Sequence, residues 1–298
     1  MLNRRLFTNA ALATAAGWLS GGTKVFAQRS GAWSDELAGN LEKLEKERGG
    51  RLGVAIVDTH SARQAGYRTE ERFPMCSTFK LLAVAAVLTR VEKGDDRLDR
   101  RIKFESTEVV VDSPVTKTRA GGDGMTLAEI CEAAMTFSDD TAGNLLLATL
   151  GGPDGLTAYA RSLGDTDTRL DRIEPDLNQS MPGDLRDTTS PAAMLSNIRT
   201  LVAGSALTPI SRDRLTGWLV GNKTGNKRLR AGLPRDWRIG DKTGAGENGT
   251  TNDVAVLWRS ADRPPVFASV YLTGSSVDGE HRNATLAMVG ATIMRSLA

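Results

Sequence analysis

Histidine and cysteine are scarce, with two of each in 298 residues. His60 and His281 have no zinc-ligand spacing to one another or to a cysteine, so the pattern offers no metal centre and calls for no cofactor. Cys76 and Cys131 sit in apolar helical or pre-helical surroundings with no sign that they face each other; two buried free thiols fit better than a disulfide. The apolar stretch Ala10–Leu19 is about ten residues, against the ~20 that a membrane-spanning helix needs. Charge of one sign is not in excess: the formal net charge is +2. Basic residues are not gathered on one segment, which argues against a nucleic-acid binder. No low-complexity run or fixed-period repeat is visible. A phosphate-binding loop is excluded too, because Gly221-Asn222-Lys223-Thr224 and Gly240-Asp241-Lys242-Thr243 each interrupt its Gly-Lys pair. The Gly-x-Ser-x-Gly elbow of a Ser-His-Asp hydrolase is also missing.

The N-terminus differs in kind from the rest. Arg4 and Arg5 precede the short apolar stretch, and Val25-Phe26-Ala27 supplies small residues where a signal peptidase reads them. Residues 1–27 are therefore expected to be a cleaved signal peptide, placing the mature protein in the periplasm or outside the cell. The string Asn3-Arg4-Arg5-Leu6-Phe7 resembles a twin-arginine signal. Cleavage removes three basic residues and no acid, taking the formal charge of +2 to about −1.

Periodicity predicts helices over 34–48, 77–88, 127–137, 141–150, 190–203 and 280–297, and strands over 52–57, 237–239, 254–258 and 266–272. The run from Ser77 to Leu88 is apolar nearly all round, the mark of a helix inside a protein. Strands near both ends with helices between them imply an α+β fold. An antiparallel sheet flanked by helices is built from both termini, 28–68 and 220–298, with an all-helical lobe, 69–219, inserted. The groove between lobes is the expected ligand site.

Four short motifs carry chemistry. Ser77-Thr78-Phe79-Lys80 places a hydroxyl and an amine at i and i+3, on one helix face. An amine so placed can take the serine proton in place of a histidine. The alternative, a capping serine and a solvated lysine, strains here, because Lys80 would be a lone charge on an apolar helix. Ser138-Asp139-Asp140 ends the second helix, where a turn can present a hydroxyl. Lys242-Thr243-Gly244 follows the strand at Trp237 and can project beside a substrate laid along a sheet edge. In the polar loop Arg172-Ile173-Glu174-Pro175-Asp176-Leu177-Asn178, Glu174 and Asn178 are spaced to hold one water, a general-base device for hydrolysis. The bland reading of Glu174 is a surface acid.

Ser-x-x-Lys, Ser-Asp-Asn and Lys-Thr-Gly are the set shared by class A β-lactamases and penicillin-binding proteins. This chain has all three in order, the second as Ser-Asp-Asp, and the loop DRIEPDLN followed by PGDLRDTTSP. It resembles a class A serine β-lactamase over essentially the whole mature length. The resemblance implies a monomer acting on small-molecule β-lactams. It implies Ser77 as nucleophile, Lys80 as its partner, and Ser138 as proton relay to the leaving nitrogen. Lys242, Thr243, Gly244 and Ala245 would face the substrate, with the Ser77 and Ala245 N–H groups as oxyanion hole. Glu174 and Asn178 would position the deacylating water, and an Arg172–Asp187 ion pair would close the omega loop. Arg282 aligns where some members supply a guanidinium to the substrate carboxylate.

Departures from the family pattern are specific. Asp140 replaces the usual Asn and so keeps an acceptor but loses a donor. Asp112 stands where an aromatic residue commonly gates the cleft. Val84 and Gly246 occupy the places of the family's possible cysteine partners for Cys131 and Cys76. The nearest rival is a penicillin-binding transpeptidase or carboxypeptidase, which lacks the Glu174–Asn178 loop. A β-lactam sensor that acylates and stalls is a further alternative from a different class.

Overall fold

The structure, a computed structural model, describes residues 31–297. The signal-peptide reading, residues 1–27, lies outside them. Chain order begins with α1 (Ala32–Arg48), β1 (Arg51–Asp58), β2 (Arg63–Tyr67) and β3 (Phe73–Pro74). The helical middle contains α2 (Phe79–Lys93), β4 (Arg101–Ile102), β5 (Met125–Thr126), α3 (Leu127–Thr136), α4 (Asp140–Leu150), α5 (Pro153–Ser162), β6 (Thr188–Thr189), α6 (Pro191–Val202) and α7 (Pro209–Val220). β7 (Arg238–Gly246), β8 (Thr250–Trp258), β9 (Val266–Thr273) and α8 (Gly279–Ser296) complete it.

β1, β2, β7, β8 and β9 form one antiparallel sheet in the order β2-β1-β9-β8-β7, so both chain ends do contribute to it. Alternation along the strands explains its two-sided core. Val254, Val256, Phe267 and Tyr271 face the helical side, where they join Phe79, Leu82 and Leu146. Ala255, Leu257, Val266, Ala268 and Val270 face the other way, onto Leu37, Leu41 and Leu44 of α1 and Leu286, Val289 and Ile293 of α8. Every α2 residue from Phe79 to Leu88 is buried, as its all-round apolarity demands.

Several elements lie beyond the expected set: β2, α5, α7 and the two-residue strand pairs β3–β6 and β4–β5. One expectation needs correcting. Lys242-Thr243-Gly244 does not follow a strand; it lies inside β7, which runs on to Gly246 at the free edge of the sheet.

Candidate active site

Ser77 sits in a single 3-10 turn, Cys76–Thr78, that leads into α2. The Thr78 hydroxyl donates to Met75 O at 2.8 Å, and Asn252 from β8 donates to Pro74 O and Met75 O at 2.9 and 3.1 Å. The turn is thus tied to the sheet at its base. Gly244 permits the close approach: a Cβ there would lie 2.8 Å from Met75 O and 3.2 Å from Thr78 Cγ2.

Lys80, one turn further on, is fully buried and enclosed by acceptors. Its Nζ donates to Ser77 Oγ at 2.7 Å, Ser138 O at 2.9 Å and Asp140 Oδ1 at 2.6 Å, and lies 2.9 Å from Glu174 Oε1. A Cβ on residue 143 would come within 2.7 Å of Lys80 Cε, so Gly143 in α4 makes room for the lysine. Burial acts to deprotonate Lys80, but the charges of Glu174 and Asp140 and their hydrogen bonds outweigh it and raise its pKa.

Ser138 occupies the break between α3 and α4 with φ +58°. Its neighbour Asp139 caps α4 through Ala142 N–H at 2.9 Å and also accepts from the Val115 and Thr116 N–H groups, both at 2.9 Å. Lys242 Nζ donates to Ser138 Oγ at 2.9 Å and to Thr243 O at 2.8 Å. Burial, with Lys80 and Arg228 nearby, holds Lys242 well below its ordinary pKa. Asp140 opens α4, and burial pushes its carboxyl up to about 7 against the pull of Lys80.

Glu174 arrives on the loop between α5 and α6. Asn144 of α4 clamps its backbone from both sides, at 2.8 Å to its N–H and 2.9 Å to its carbonyl. Ser77 Oγ donates to Glu174 Oε1 at 3.2 Å, and Asn178 Nδ2 donates to Oε2 at 2.5 Å. Asn178 Oδ1 is buried without a protein donor, which leaves it able to accept from a small polar molecule. Arg172 Nε lies 2.6 Å from Asp187 Oδ2 across the base of this loop.

One cleft of about 680 Å³ is lined among others by Ser77, Ser138, Asp140, Asn178, Thr243, Gly244 and Ala245, while Lys80, Glu174 and Lys242 are buried behind that lining. Arg282 stands apart from that lining: its Nε donates to Thr251 Oγ1 at 3.1 Å and its Nη1 to Val277 O. The guanidinium that does line the cleft is Arg228, which sequence reading missed. It donates to Gly244 O at 2.8 Å and Asn252 O at 2.6 Å, which braces β7 from behind. Cys76 and Cys131 are buried free thiols. Among the described residues no group of His, Cys, Asp and Glu is arranged to hold a metal, and no helix is long and apolar enough to cross a membrane.

A buried serine bonded at once to a lysine amine and a glutamate carboxylate, beside a cleft at the edge of the sheet and with no histidine near it, is the arrangement of a serine hydrolase that uses no histidine. The profile of the Beta-lactamase enzyme family matches residues 36–297. The chain is 46% identical over 266 residues to β-lactamase OXY-2 of Klebsiella oxytoca, covering 89% of this chain and 91% of the relative. It is 50% identical over 255 residues to β-lactamase AST-1 of Nocardia asteroides, covering 86% and 82%. A solved class A β-lactamase representing the last common ancestor of Gram-negative bacteria superposes with TM-score 0.86 at 58% identity, covering 88% of this chain and 99% of that one. The chain belongs to the class A β-lactamases. It is accordingly a β-lactam hydrolase, the activity by which such enzymes confer antibiotic resistance.

Proposed function

We infer that the chain opens the β-lactam amide of penicillins and cephalosporins through an acyl-enzyme on Ser77 and then hydrolyses that ester. The observation that carries this is Ser77 Oγ, which accepts from Lys80 Nζ and donates to Glu174 Oε1. The Ser77 hydroxyl is directed at the Glu174 carboxylate, and the charges of Glu174 and Asp140 raise the pKa of Lys80, both of which favour Glu174 as the acylation base. Ser77 Oγ attacks the lactam carbonyl as Glu174 takes its proton. The N–H groups of Ser77 and Ala245 receive the oxyanion. When the C–N bond breaks, Ser138, bonded to Lys242, gives its proton to the nitrogen, and the proton that Glu174 took passes by way of Lys80 to Ser138, so that Glu174 is a carboxylate again. Glu174 then takes a proton from a water steadied by Asn178 as that water attacks the ester carbonyl, and returns it to Ser77 Oγ as the C–O bond breaks. Lys242, with Thr243 and Gly244 on the same strand, faces the substrate carboxylate. Arg172 and Asp187 close the omega loop that carries Glu174.

The same reading takes residues 1–27 as an export signal, the mature enzyme as a periplasmic or secreted monomer, and 69–219 as the inserted helical lobe. The test is intact-mass spectrometry on two variants given benzylpenicillin. Ser77→Ala should carry no adduct, and Glu174→Ala should accumulate one. Product release by Glu174→Ala at the parent rate would remove Glu174 from the hydrolytic step. A parent enzyme that acylates once and stops would favour the penicillin-binding-protein reading.

A further inference from the structure

Asp112 lies on the rim of the cleft in an unusual state for an exposed residue: its backbone is pinned and its side chain is free. It holds φ +61°, and its carbonyl accepts from Asp140 N–H at 3.2 Å. On one side Val110 N–H donates to Thr141 Oγ1 at 2.9 Å; on the other Ser113 Oγ accepts from Thr141 N–H at 3.0 Å, and Val115 N–H reaches Asp139. The loop is thereby stapled to the start of α4. Among the described residues the Asp112 carboxylate takes part in no hydrogen bond or ion pair.

Its surroundings on the rim are apolar. Val111 and Phe137 line the same cleft and are 68% and 43% exposed, although nothing in the fold requires a hydrophobe to face water there. Arg228 lines the β7 side of the cleft, with the Lys242 amine behind it on Ser138 Oγ, while Asp112 and Asp140 belong to the α4 side. Lys117, on the Asp112 loop, also lines the cleft and forms no ion pair with it. The cleft is therefore polarised, with an apolar wall beside its acidic end.

We propose that Asp112 selects β-lactams whose acyl side chain carries an ammonium group beside an aromatic ring. The favoured substrate is a zwitterion, its carboxylate toward Lys242 and its ammonium toward Asp112, with the ring against Val111 and Phe137. This rests on the reading of the cleft as the β-lactam site. A fixed carboxylate needs no reordering to meet the cation, and the apolar wall shields the pair from water.

The test compares kcat/KM for ampicillin, benzylpenicillin and carbenicillin, which share a core and differ by an ammonium, a hydrogen and a carboxylate on one carbon. Asp112→Asn is the right variant, because Asn tolerates positive φ and keeps the volume. The parent should prefer ampicillin to carbenicillin, and Asp112→Asn should shrink that ratio by about fivefold, the scale of one part-exposed attraction and one repulsion. About 1 M salt, with a Debye length of about 3 Å, should narrow the parent ratio and leave the variant's alone. Lys117→Ala should widen it. An unchanged ratio in Asp112→Asn, with benzylpenicillin still hydrolysed, overturns the selection alone. A parent that fails to hydrolyse benzylpenicillin overturns the hydrolase reading and this one with it.

Discussion

Lys80 and Asp140 form a buried ion pair, with Nζ 2.6 Å from Oδ1. The pair ties the amine beside the candidate nucleophile to the first residue of α4, and it shares that amine with Glu174. Two carboxylates share one amine: burial and the Glu174 charge raise the Asp140 pKa, while the charges of the two acids raise that of Lys80. Where the family carries an amide, this site carries a titrating group.

The first prediction follows from that titration. Below about 7 the Asp140 carboxyl is protonated and can donate to a substrate's side-chain carbonyl; above it the carboxylate repels that carbonyl. For acylamido penicillins kcat/KM should fall as pH rises from about 6 to about 8 through the Asp140 pKa. Asp140→Asn should flatten that limb and raise kcat/KM at the alkaline end by about 5- to 150-fold, the worth of one polar contact. The gain should be smaller for carbapenems, whose hydroxyethyl group can donate to a carboxylate. Stopped-flow pH profiles decide it, and a variant slower on all substrates would show that the mechanism depends on the acid.

The second concerns the two arginines. Arg228 lines the cleft and holds the Gly244 and Asn252 carbonyls, whereas Arg282 is engaged with Thr251 and Val277 outside it. Arg228→Ala should raise KM for benzylpenicillin by about tenfold or more, since it removes charge-assisted bonds behind β7, and should lower Tm as well. Arg282→Ala should raise KM by only about threefold, by way of Thr251. The reverse order would return the carboxylate-binding role to Arg282.

What could be seen beforehand divides along physical lines. The buried first part of α2 was legible because its apolarity is continuous, and Lys80 stood out as the one charge between Phe79 and Leu88. Glu174 was visible only through ordered motifs; nothing in its own spacing says that Asn144 will clamp it against Ser77. α5 and α7 were missed because each buries very little, Leu156 and Ala160 in one and Ser211, Leu215 and Leu219 in the other. β7 was cut short at Ile239 because Gly240 and Asp241 interrupt its apolar run, yet Gly240 is there for close approach to Leu219 and Asp241 is buried against Arg230. Arg228 lies among Lys223, Lys227 and Arg230, where a solvated basic cluster is the ordinary reading.

A third prediction tests how the N-terminal helix is held. Glu45 of α1 accepts from Leu52 N–H at 2.7 Å, Tyr67 OH at 3.1 Å and Arg68 at 3.0 and 2.9 Å. Burial acts to raise its pKa, but those hydrogen bonds and the Arg68 charge win and lower it from 4.5. A lowered carboxylate stabilises the fold above the unfolded pKa, and the stability is lost as pH falls through the folded one. Glu45→Gln should destabilise the protein by about 1–3 kcal/mol at neutral pH. It should also lessen the loss of Tm between about pH 5 and 3. An equally steep acid limb in the variant would place the acid sensitivity elsewhere.

The last prediction separates the two halves of the reaction. Asp187 is buried, and its Oδ1 accepts from the Asp171 and Arg172 N–H groups at 2.8 and 2.9 Å while Oδ2 takes Arg172 Nε at 2.6 Å. Its own carbonyl accepts from Met75 N–H at 2.9 Å, so one residue joins the Glu174 loop to the segment before Ser77. Asp187→Ala removes three accepted bonds and puts alanine at φ +56°, a strained conformation, and should destabilise by about 3–5 kcal/mol. Asp187→Asn tolerates that backbone and keeps Oδ1, but turns an amide donor on Arg172, and should cost about 1–3 kcal/mol. Lys80 belongs to a helix packed on all sides and Ser77 to the buried turn that leads into it, whereas Glu174 and Asn178 belong to the loop. Loosening the loop should therefore slow the loss of the acyl group more than its formation. Asp187→Asn mixed rapidly with benzylpenicillin should show a burst and a persisting acyl-enzyme by quenched mass spectrometry. If acylation slows instead and no adduct builds up, Asp187 acts through the Met75 segment on the nucleophile, and the loop is not what it positions.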